Sequence, residues 1–457
     1  MDDVIRIPLG RDLSEWERTV LDEGELYLVG GAVRDMLLGR PATSVDSDYV
    51  VTGIGFEPLR ALLERYGSAS LVGRSFGVVK FTPRDADTVD ISLPRTEVST
   101  GPGHKDFEVR YDPSLPVETD LHRRDFTVNS MALDLRTSGL VDPLSGRQDL
   151  SRRILRVNRA TSFIEDPLRI LRGVQFMARF DLAVEQHTHD LMERDASLLD
   201  SVSKERVRDE LVKLVDLSLR PSTGFVFMHE TGILRRVLPE LDATWGIEQN
   251  EFHPDDVFHH SVKSCDSAEG GSVVRWAALL HDLGKKEARM EREGRVVFYR
   301  HEEESARIAR SILERLVFPS AFIEKVEHLV SQHMFLMSDQ WSDGAVRRFI
   351  ARVGVENLAD LFALRRADGA SRGDTGVEEE IRYASRRTQA VIAMDAVFKR
   401  EDLAIDGSDI MKATGLVEGP EIGRILDALL ERVLEDPHMN EREKLIAIIE
   451  EIRSGGR

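Results

Sequence analysis

LVGGAVRDMLLGRPATSVDSDYVV, residues 28–51, is the stretch from which the N-terminal architecture can be predicted. It predicts a strand over Leu26–Val29, a turn at Gly30–Gly31 and a helix that begins near Ala32. Paired glycines let a phosphate group approach the backbone closely, and a helix N-terminus offers free N–H groups to an anion. We therefore expect a phosphate-binding turn, with Arg34 in the first turn of the helix that follows it.

The same stretch carries a pair of carboxylates, Asp46 and Asp48, just before an apolar run. On a strand, residues i and i+2 face the same side, so the two carboxylates would point together. Such a pair suits hard divalent cations, and we predict that both residues bind Mg²⁺. A solvated turn is the alternative, although the adjoining strand, glycine turn and helix favour catalysis. Asp90, in the later run VDIS, is either a third catalytic carboxylate or a structural strand residue.

Hydrophobic patterning divides the chain into a β-rich beginning and a helical remainder. Short β-like runs occur at 25–31, 47–53, 77–83 and 88–93, whereas from about residue 151 apolar residues recur at three- and four-residue steps. This pattern predicts an α/β head with a mixed or antiparallel sheet and helices, followed by an all-α body. Residues 95–120 are rich in Gly, Pro, Thr and Asp, and we expect an irregular insertion there.

Charge and cysteine content indicate which binding partners and which kinds of site the protein can have. The 457 residues have 62 Lys and Arg against 81 Asp and Glu, a formal net charge of −19, and an evenly acidic chain would repel polyanions. Residues 123–179 nevertheless hold 11 Arg, no Lys and 6 Asp or Glu, which favours polyanion binding there over a merely solvated surface. The single Cys265 excludes an intramolecular disulfide and a Cys-rich zinc site.

The sequence shows no targeting pattern. The first ten residues, MDDVIRIPLG, are acidic and lack a signal-peptide run. No stretch reaches the roughly 18 apolar residues of a membrane helix. We therefore expect a cytoplasmic protein with no membrane partner.

Residues Glu165-Asp166-Pro167-Leu168-Arg169 predict a base-reading pair. Pro167 fits the first position of a helix and Asp166 its N-cap, so capping is the alternative role of this carboxylate. Asp166 and Arg169 share a helix face. Cytosine and adenine present an exocyclic amine beside an unprotonated ring nitrogen, whereas uracil and guanine present a carbonyl beside a ring N–H. A carboxylate with a guanidinium therefore selects CTP and ATP without a nucleic-acid template.

These motifs, in this order, resemble the class II tRNA nucleotidyltransferase (CCA-adding enzyme) and bacterial poly(A) polymerase family. The matching segments are LVGGAVRD–LLGR–D-x-D (28–48), RTE (95–97), DLHRRDFTVNSMALD (120–134), FIEDPLRILR (163–172), SKERVRDELVKLV (203–215) and GILRRVLPEL (232–241). Ser130 departs from the usual alanine. The resemblance implies a nucleotidyltransferase head that binds nucleotide through Gly30, Gly31, Arg34, Arg124, Asp166, Arg169 and Arg172. Asp125 and Asn129, four apart on a predicted helix, either orient the ribose or brace the turn.

Histidines and aspartates in the helical part indicate a second metal site. They are His260, His281, Asp282, His301, His333 and Asp368. Imidazole and carboxylate groups suit divalent metals, and an adjacent His-Asp pair lets one turn supply two ligands. The pattern resembles the HD phosphohydrolase domain, whose ligands run H…HD…D, with His301 and His333 where two-metal members add ligands. That resemblance implies a divalent transition metal or Mg²⁺, and hydrolysis of phosphate esters or 2′,3′-cyclic phosphates.

The chain is predicted to have four parts. They are a head (1–150), a helical neck with the base-reading motif (151–245), an HD-type body (246–390) and a helical tail (391–457). The tail segment 403–437 resembles the part of tRNA nucleotidyltransferases that grips the tRNA elbow, and ordinary helix packing is its alternative role.

The predicted function is template-independent addition of CCA, or its last part, to tRNA 3′ ends. The substrates would be CTP and ATP, with Mg²⁺, and pyrophosphate would be released. The segment 98–118 resembles the flexible loop of members that add the terminal A. A CC-adding enzyme, an A-adding enzyme and a poly(A) polymerase remain open, as does a metal-dependent HD phosphohydrolase whose head only binds RNA. The sequence predicts no oligomeric state.

Overall fold

The computed structural model of this chain describes residues 5–40, 48–72, 77–99, 107–249, 254–292, 295–394 and 397–454. They form two compact units that divide between Val237 and Leu238. None of the helices in these ranges is long and apolar enough to cross a bilayer.

The first unit begins with an α/β part. Its strands are β1 (Glu25–Val29), β2 (Asp48–Thr52), β3 (Gly67–Val72), β4 (Val78–Pro83), β5 (Val89–Ser92), β6 (Arg95–Ser99), β7 (Phe107–Tyr111), β8 (Ala132–Asp134) and β9 (Leu140–Val141). Its helices are α1 (Glu15–Glu23), α2 (Gly31–Leu37), α3 (Phe56–Leu63), α4 (Val117–His122) and α5 (Gly146–Ser151).

Within the described part of this unit, seven strands form one sheet in the order β3-β4-β5-β2-β1-β8-β9. β1 pairs antiparallel with β2 and β8, whereas β2 and β5 run parallel, so the predicted mixed sheet is confirmed. The central strands are apolar runs with buried side chains, among them Val29, Val50 and Val51. Burial of this kind fits strands that are covered on both faces.

The prediction of an irregular insertion over 95–120 is wrong at both of its described ends. β6 and β7 pair antiparallel, from Arg95 opposite Tyr111 to Ser99 opposite Phe107, and α4 follows. The Gly and Pro content of the middle of the segment hid RTEVS and FEVRY, which contain the β-branched and aromatic residues that favour strands. Residues 100–106 lie outside the described ranges.

The rest of the first unit is mostly helical, as predicted. It contains β10 (Ile154–Leu155), α6 (Ser162–Glu165), α7 (Leu168–Phe180), β11 (Ala183–Val184), α8 (Gln186–Asp195), α9 (Lys204–Leu217), α10 (Pro221–Glu230) and α11 (Leu234–Val237). α7 packs against α9. Their apolar stripes are buried, for example at Ile170, Val174 and Leu211, and this leaves the polar stripe of α7 for the cavity described below.

The second unit is helical apart from one hairpin in its described part. Its elements are α12 (Pro239–Asp242), α13 (Val257–Ser267), α14 (Ser272–Leu280), α15 (Lys285–Ala288), β12 (Arg289–Arg292), β13 (Arg295–Phe298), α16 (His301–Arg315), α17 (Ser320–Gln332), α18 (Asp343–Val353), α19 (Leu358–Ser371), α20 (Val377–Met394), α21 (Gly407–Thr414), α22 (Pro420–Glu435) and α23 (Arg442–Ser454). Gly415, at φ +72°, ends α21, and Pro420 opens α22, positions that suit a residue free to adopt positive φ and a residue without a backbone N–H.

Candidate functional site

Strand register brings Asp48 to the glycine turn. Val29, the last residue of β1, pairs with Asp48, the first residue of β2. The chain turns at Gly30, with φ +68°, and α2 begins at Gly31. A Cβ at Gly30 would lie 2.7 Å from Nη1 of Arg124, so the residue needs both its conformation and its lack of a side chain. Asp46 lies outside the described residues, so its shared face with Asp48 stays a prediction.

Asp90 lies next to Asp48 on the parallel neighbour strand, where the two residues are register partners. Its Oδ1 atom is 3.8 Å from Nζ of Lys80, and its side chain is 42% exposed. It does not line the cavity that Asp48 lines. The structure thus places Asp90 where a third carboxylate would be expected, and its role stays open.

A cavity of about 630 Å³ lies in front of the glycine turn. Eight basic and four acidic side chains contribute to its wall, so the cavity carries the positive charge that a triphosphate requires. The lining residues are Gly30, Gly31, Ala32, Arg34, Asp35, Asp48, Arg123, Arg124, Asp125, Asn129, Asp166, Leu168, Arg169, Arg172, Gln175, Phe176, Arg179, Arg206 and Lys213. Every described nucleotide-site residue predicted from the sequence is among them, except Asp90.

The Arg34 side chain is held in one orientation by several contacts. It is buried, and it donates from Nη1 to Oδ1 of Asn129 at 2.7 Å and from Nε to Oδ1 of Asp35 at 2.9 Å. Its guanidinium carbon lies 4.1 Å from the ring centroid of Phe180 and 5.4 Å from that of Phe176. Cation–π and hydrogen-bond contacts together fix this guanidinium beside the helix N-terminus.

Asp125 and Asn129 brace the turn, although the predicted helix between them is absent. Residues Thr127–Asn129 form a single 3₁₀ turn instead. Nδ2 of Asn129 donates to Oδ1 of Asp125 at 3.2 Å, and Nε of Arg172 donates to Oδ2 at 2.8 Å. Burial raises the pKa of Asp125, but Arg172, the Phe126 N–H and Arg169 together outweigh that effect and hold the pKa below its ordinary value. This carboxylate is therefore an anion that orients Arg172 along the cavity wall.

Asp166 and Arg169 both reach the cavity, and each also has partners in the chain. Oδ1 of Asp166 accepts from the Leu168 N–H at 3.2 Å at the start of α7, where Pro167 and not Asp166 is the N-cap residue, and Oδ2 accepts from Nη2 of Arg206 at 2.9 Å. Arg169 donates to Oε2 of Glu165 at 3.3 Å and to the carbonyl of Arg123 at 3.1 Å. The side chains of Asp166 and Arg169 are therefore both held in place by hydrogen bonds to other residues of the chain.

Several residues of the cavity wall carry no local sequence signal that predicts their place there. Arg206 and Lys213 come from α9, seven residues apart and so on one face, while Gln175 and Phe176 come from α7. The family-like segment SKERVRDELVKLV contains the first two, but only the packing of α9 on α7 shows that they reach the cavity. Outside the cavity, some arginines of the basic strip 123–179 pair with carboxylates, as Arg156 does with Asp149 at 3.1 Å and Arg159 with Glu165 at 2.6 Å.

In the second unit, all six predicted residues converge. His260 comes from α13, His281 and Asp282 from the turn after α14, His301 from the start of α16, His333 from the end of α17, and Asp368 from α19. All six are buried. His260, His281 and Asp282 form one group and Asp282, His301 and His333 a second, with ligand atoms within 4.8 Å of one another in each. Asp282 belongs to both groups, so we call them lobe A and lobe B of one cluster, and we use the name HD centre only as a label for its six residues.

The two oxygens of Asp282 face different lobes. Oδ2 is 3.2 Å from Nε2 of His260 and 3.2 Å from Nε2 of His281, and Oδ1 of Asp368 is 3.3 Å from Nε2 of His260. Oδ1 of Asp282 is 3.2 Å from Nε2 of His301 and 3.8 Å from Nε2 of His333. Oδ2 also accepts a hydrogen bond from Nζ of Lys285 at 2.6 Å, and the two oxygens would let this carboxylate contact a cation in either lobe.

The Nδ1 atom of every imidazole in the HD centre is held by a hydrogen bond. Nδ1 contacts the carbonyl of Ala278 at 2.8 Å in His281, of Phe298 at 3.0 Å in His301 and of Val330 at 2.7 Å in His333. Nδ1 of His260 lies 2.9 Å from Oγ of Ser371, whose own proton goes to the Asp368 carbonyl. Each Nδ1 is therefore the N–H donor, which leaves Nε2 as the atom that each ring turns towards the cluster, the position from which metal-binding histidines bind their ion.

The Nε2 atoms of the HD centre are better placed to bind metal ions than to form hydrogen bonds with one another. Nε2 of His260 and Nε2 of His281 are 3.2 Å apart, and Nε2 of His301 is buried without a hydrogen bond in the described structure. Burial and the neighbouring His281 lower the pKa of His333 to about 3, so this ring is neutral and able to ligate. Arg365 and Arg372 hold Oδ2 of Asp368 at 2.7 Å and 3.2 Å, which turns its Oδ1 towards lobe A.

Three family models match consecutive parts of the chain. The Poly A polymerase head domain matches residues 26–156, and the probable RNA and SrmB-binding site of polymerase A matches residues 181–244. A putative tRNA nucleotidyltransferase domain 2 matches residues 296–449.

Known proteins resemble the chain over most of its length. The multifunctional CCA protein of Xanthomonas campestris pv. campestris (strain B100) is 36% identical over 418 residues, which are 88% of this chain and 96% of that protein. The CCA-adding enzyme of Bacillus stearothermophilus in complex with CTP matches with a TM-score of 0.70 at 23% identity, over 96% of each chain. The Thermotoga maritima CCA-adding enzyme complexed with tRNA matches with a TM-score of 0.54 at 19% identity, over 95% of this chain and 92% of that one.

Proposed function

The chain belongs to the family of the multifunctional CCA proteins, and we propose that it adds C and A nucleotides to tRNA 3′ ends from CTP and ATP. The resemblance identified from the sequence motifs is thereby confirmed. One observation carries the proposal: a single basic cavity has Asp48 and the Gly30–Gly31 turn in one part of its wall and Asp166 with Arg169 in another. A nucleotide held there would have its triphosphate and its base at separate, chemically matched places.

The residues of the head fit divalent cations. Nucleotidyltransferases of this family use such ions, and carboxylate oxygens are the ligands that Mg²⁺ prefers. Asp48 would hold Mg²⁺ with Asp46, and with Asp90 if its side chain turns from Lys80. Bound Mg²⁺ supplies activation of the 3′-hydroxyl and neutralisation of the leaving pyrophosphate. The 3′-oxygen forms a bond to the α-phosphorus and loses its proton. The bond between the α-phosphorus and the oxygen that bridges to the β-phosphorus breaks, and pyrophosphate leaves.

The remaining cavity residues bind and orient the nucleotide. Arg34 and Arg124 lie at the glycine turn and donate to phosphate oxygens, while Asp125 keeps Arg172 directed along the wall. Each carboxylate oxygen accepts about two hydrogen bonds. Oδ2 of Asp166, which takes one from Arg206, therefore retains capacity for the exocyclic amine of cytosine or adenine.

Replacement of Asp166 by asparagine is expected to weaken base selection. The amide can turn either its oxygen or its NH₂ group to the base, so uracil and guanine no longer meet acceptor against acceptor. The preference for CTP over UTP should fall by about tenfold or more, the cost of one mispaired buried polar group. Steady-state kcat/KM for CTP and UTP measures the change. Arg156→Ala, which removes a paired arginine outside the cavity, is the matched control and should leave the preference unchanged.

Three primers separate the alternatives within the nucleotidyltransferase class. They are a tRNA that ends at the discriminator base, a tRNA that ends in −C–C, and oligo(A), each incubated with the purified chain, CTP, ATP and Mg²⁺. Addition of C, C and A to the first primer supports the full enzyme. Addition of C alone, addition only to −C–C, or long runs on oligo(A) would indicate a CC-adding enzyme, an A-adding enzyme or a poly(A) polymerase.

The four-part division predicted from the sequence is retained in the proposal. The head, neck, HD-type body and tail keep the bounds 1–150, 151–245, 246–390 and 391–457. The tail helices α21, α22 and α23 share one apolar core, which includes Ile410, Leu429 and Leu445. We assign this tail to the tRNA elbow, on the resemblance of residues 403–437 to tRNA-gripping tails.

A second function, hydrolysis of phosphate esters or 2′,3′-cyclic phosphates, is proposed for the HD centre. The observation that favours it is the convergence of four Nε2 atoms and two carboxylates in a buried cluster. His260, His281, Asp282 and Asp368 would hold one divalent ion in lobe A, and Asp282, His301 and His333 a second in lobe B. Bound ions of this kind supply an activated water for attack on phosphorus.

A further inference from the structure

A buried carboxylate outside the predicted site stands behind two arginines of the cavity wall. Asp120, on α4, has a fully buried side chain. Its Oδ1 accepts from Nε of Arg123 at 2.9 Å, and its Oδ2 accepts from Nε and Nη2 of Arg124 at 3.1 and 3.0 Å. Both arginines line the nucleotide cavity, whereas Asp120 does not. The Asp120 carboxylate therefore links two arginines of the cavity wall without itself lining the cavity.

The contact to Arg124 determines where that guanidinium points. With Nε and Nη2 taken by Asp120, its remaining Nη1 lies over Gly30, 2.7 Å from the place a Cβ would occupy. The backbone here is held independently of Asp120. Nδ2 of Asn158 donates to the carbonyl of Arg124 at 2.9 Å, and Nη2 of Arg169 donates to the carbonyl of Arg123 at 3.1 Å. The side chains are thus the part whose direction depends on Asp120.

We propose that Asp120 is a positioning residue for nucleotide binding, which aims Arg124 at the phosphate-binding turn and holds Arg123 beside it. The inference rests on the proposed nucleotidyl transfer and extends it to a residue that does not touch the substrate. Two neighbouring guanidiniums without a shared anion repel each other and explore several rotamers. Binding a triphosphate would then have to order them first.

The direct test is Asp120→Asn in the full chain, which keeps the size of the side chain and removes its charge. We expect KM for CTP and for ATP to rise together by about tenfold or more, because a buried charge partner of a ligand-binding arginine has been lost. We expect kcat to stay within about threefold and KM for tRNA to be unchanged. Asp195→Asn is the matched control, since Asp195 is buried and paired with Arg194 at 2.6 Å but lies outside the cavity wall.

A double-mutant cycle distinguishes positioning from general damage. If Asp120 acts through Arg124, the rise in KM in the variant that combines Asp120→Asn with Arg124→Ala should be clearly smaller than the product of the two single effects, with any remaining loss beyond Arg124→Ala coming from Arg123. Multiplying effects, or an unchanged KM in folded Asp120→Asn, would overturn the proposal. Should Asp120→Asn not fold, Asp120→Glu keeps the charge, displaces the carboxylate by one methylene and is expected to raise KM in the same way; an unchanged KM would again count against the proposal.

The proposed function and this inference fail in different ways. If the wild-type chain adds no nucleotide to tRNA, the proposed function is wrong, and the inference is then judged by calorimetric binding of CTP alone. A weaker CTP affinity in Asp120→Asn than in wild type and Asp195→Asn would still support it, and equal affinities would refute it.

Discussion

Replacement of Asp48 by alanine is expected to abolish nucleotide addition, lowering kcat by at least about 1,000-fold. The loss should be this large because the carboxylate is a proposed ligand of the ions that activate the attacking hydroxyl, and groups that act as such a unit fail together. Single-turnover incorporation of labelled CTP and ATP into tRNA measures the rate. Hydrolysis by the HD centre should continue unchanged.

Two further variants make the Asp48 experiment decisive. Asp85→Ala removes an exposed carboxylate of the head outside the cavity and should retain wild-type addition. Asp90→Asn tests the neighbouring register partner: a loss close to that of Asp48→Ala identifies a third catalytic carboxylate, and a loss below about tenfold identifies a strand residue. Substantial addition by Asp48→Ala itself would show that catalysis occurs elsewhere.

The second large effect is expected from Asp282→Ala in the HD centre. Because Asp282 contributes one oxygen to each lobe, its loss should reduce bound divalent metal from about two ions to less than one per chain. Hydrolysis of a 2′,3′-cyclic nucleotide in the presence of Mn²⁺ or Ni²⁺ should disappear. Addition of C and A to tRNA should remain within about twofold of wild type. Elemental analysis after gel filtration gives the metal content.

His259→Ala is the matched control for the HD centre. His259 is adjacent to His260 on α13, but its Nδ1 contacts Oδ1 of Asp256 at 2.8 Å and it belongs to neither lobe. It should keep both metal and hydrolysis. Full metal content in Asp282→Ala would refute the bridging assignment, and a parallel loss of tRNA addition would refute the separation of the two sites.

Local motifs could be predicted from the sequence because their chemistry is contained in a few consecutive residues. The Gly30–Gly31 turn and the adjacent His281-Asp282 pair each form as the local pattern indicates. The convergence of the distant histidines was predicted from their resemblance to the HD phosphohydrolase pattern. Steric requirements of a turn or a cap act over a few residues, so they can be read without tertiary structure.

Features that depend on tertiary packing were not predictable. Arg206 reaches Asp166 across 40 residues only because α9 packs on α7. Asp120 in ETDLH looks like an ordinary solvated acid until α4 buries it behind Arg123 and Arg124. The helix expected between Asp125 and Asn129 gives way to a 3₁₀ turn, because Phe126 forms a β-bridge with Val157 that a continuous helix would not allow.

Template-independent addition of C and A to tRNA can be measured on one primer, without a label, from the mass of the product. A tRNA that ends at the discriminator base is incubated with the purified chain, all four nucleoside triphosphates and Mg²⁺, and the intact product is weighed by mass spectrometry. We expect a mass gain of two cytidylates and one adenylate, with no uridylate or guanylate. An unchanged mass, or addition of U or G at a comparable rate, would contradict it.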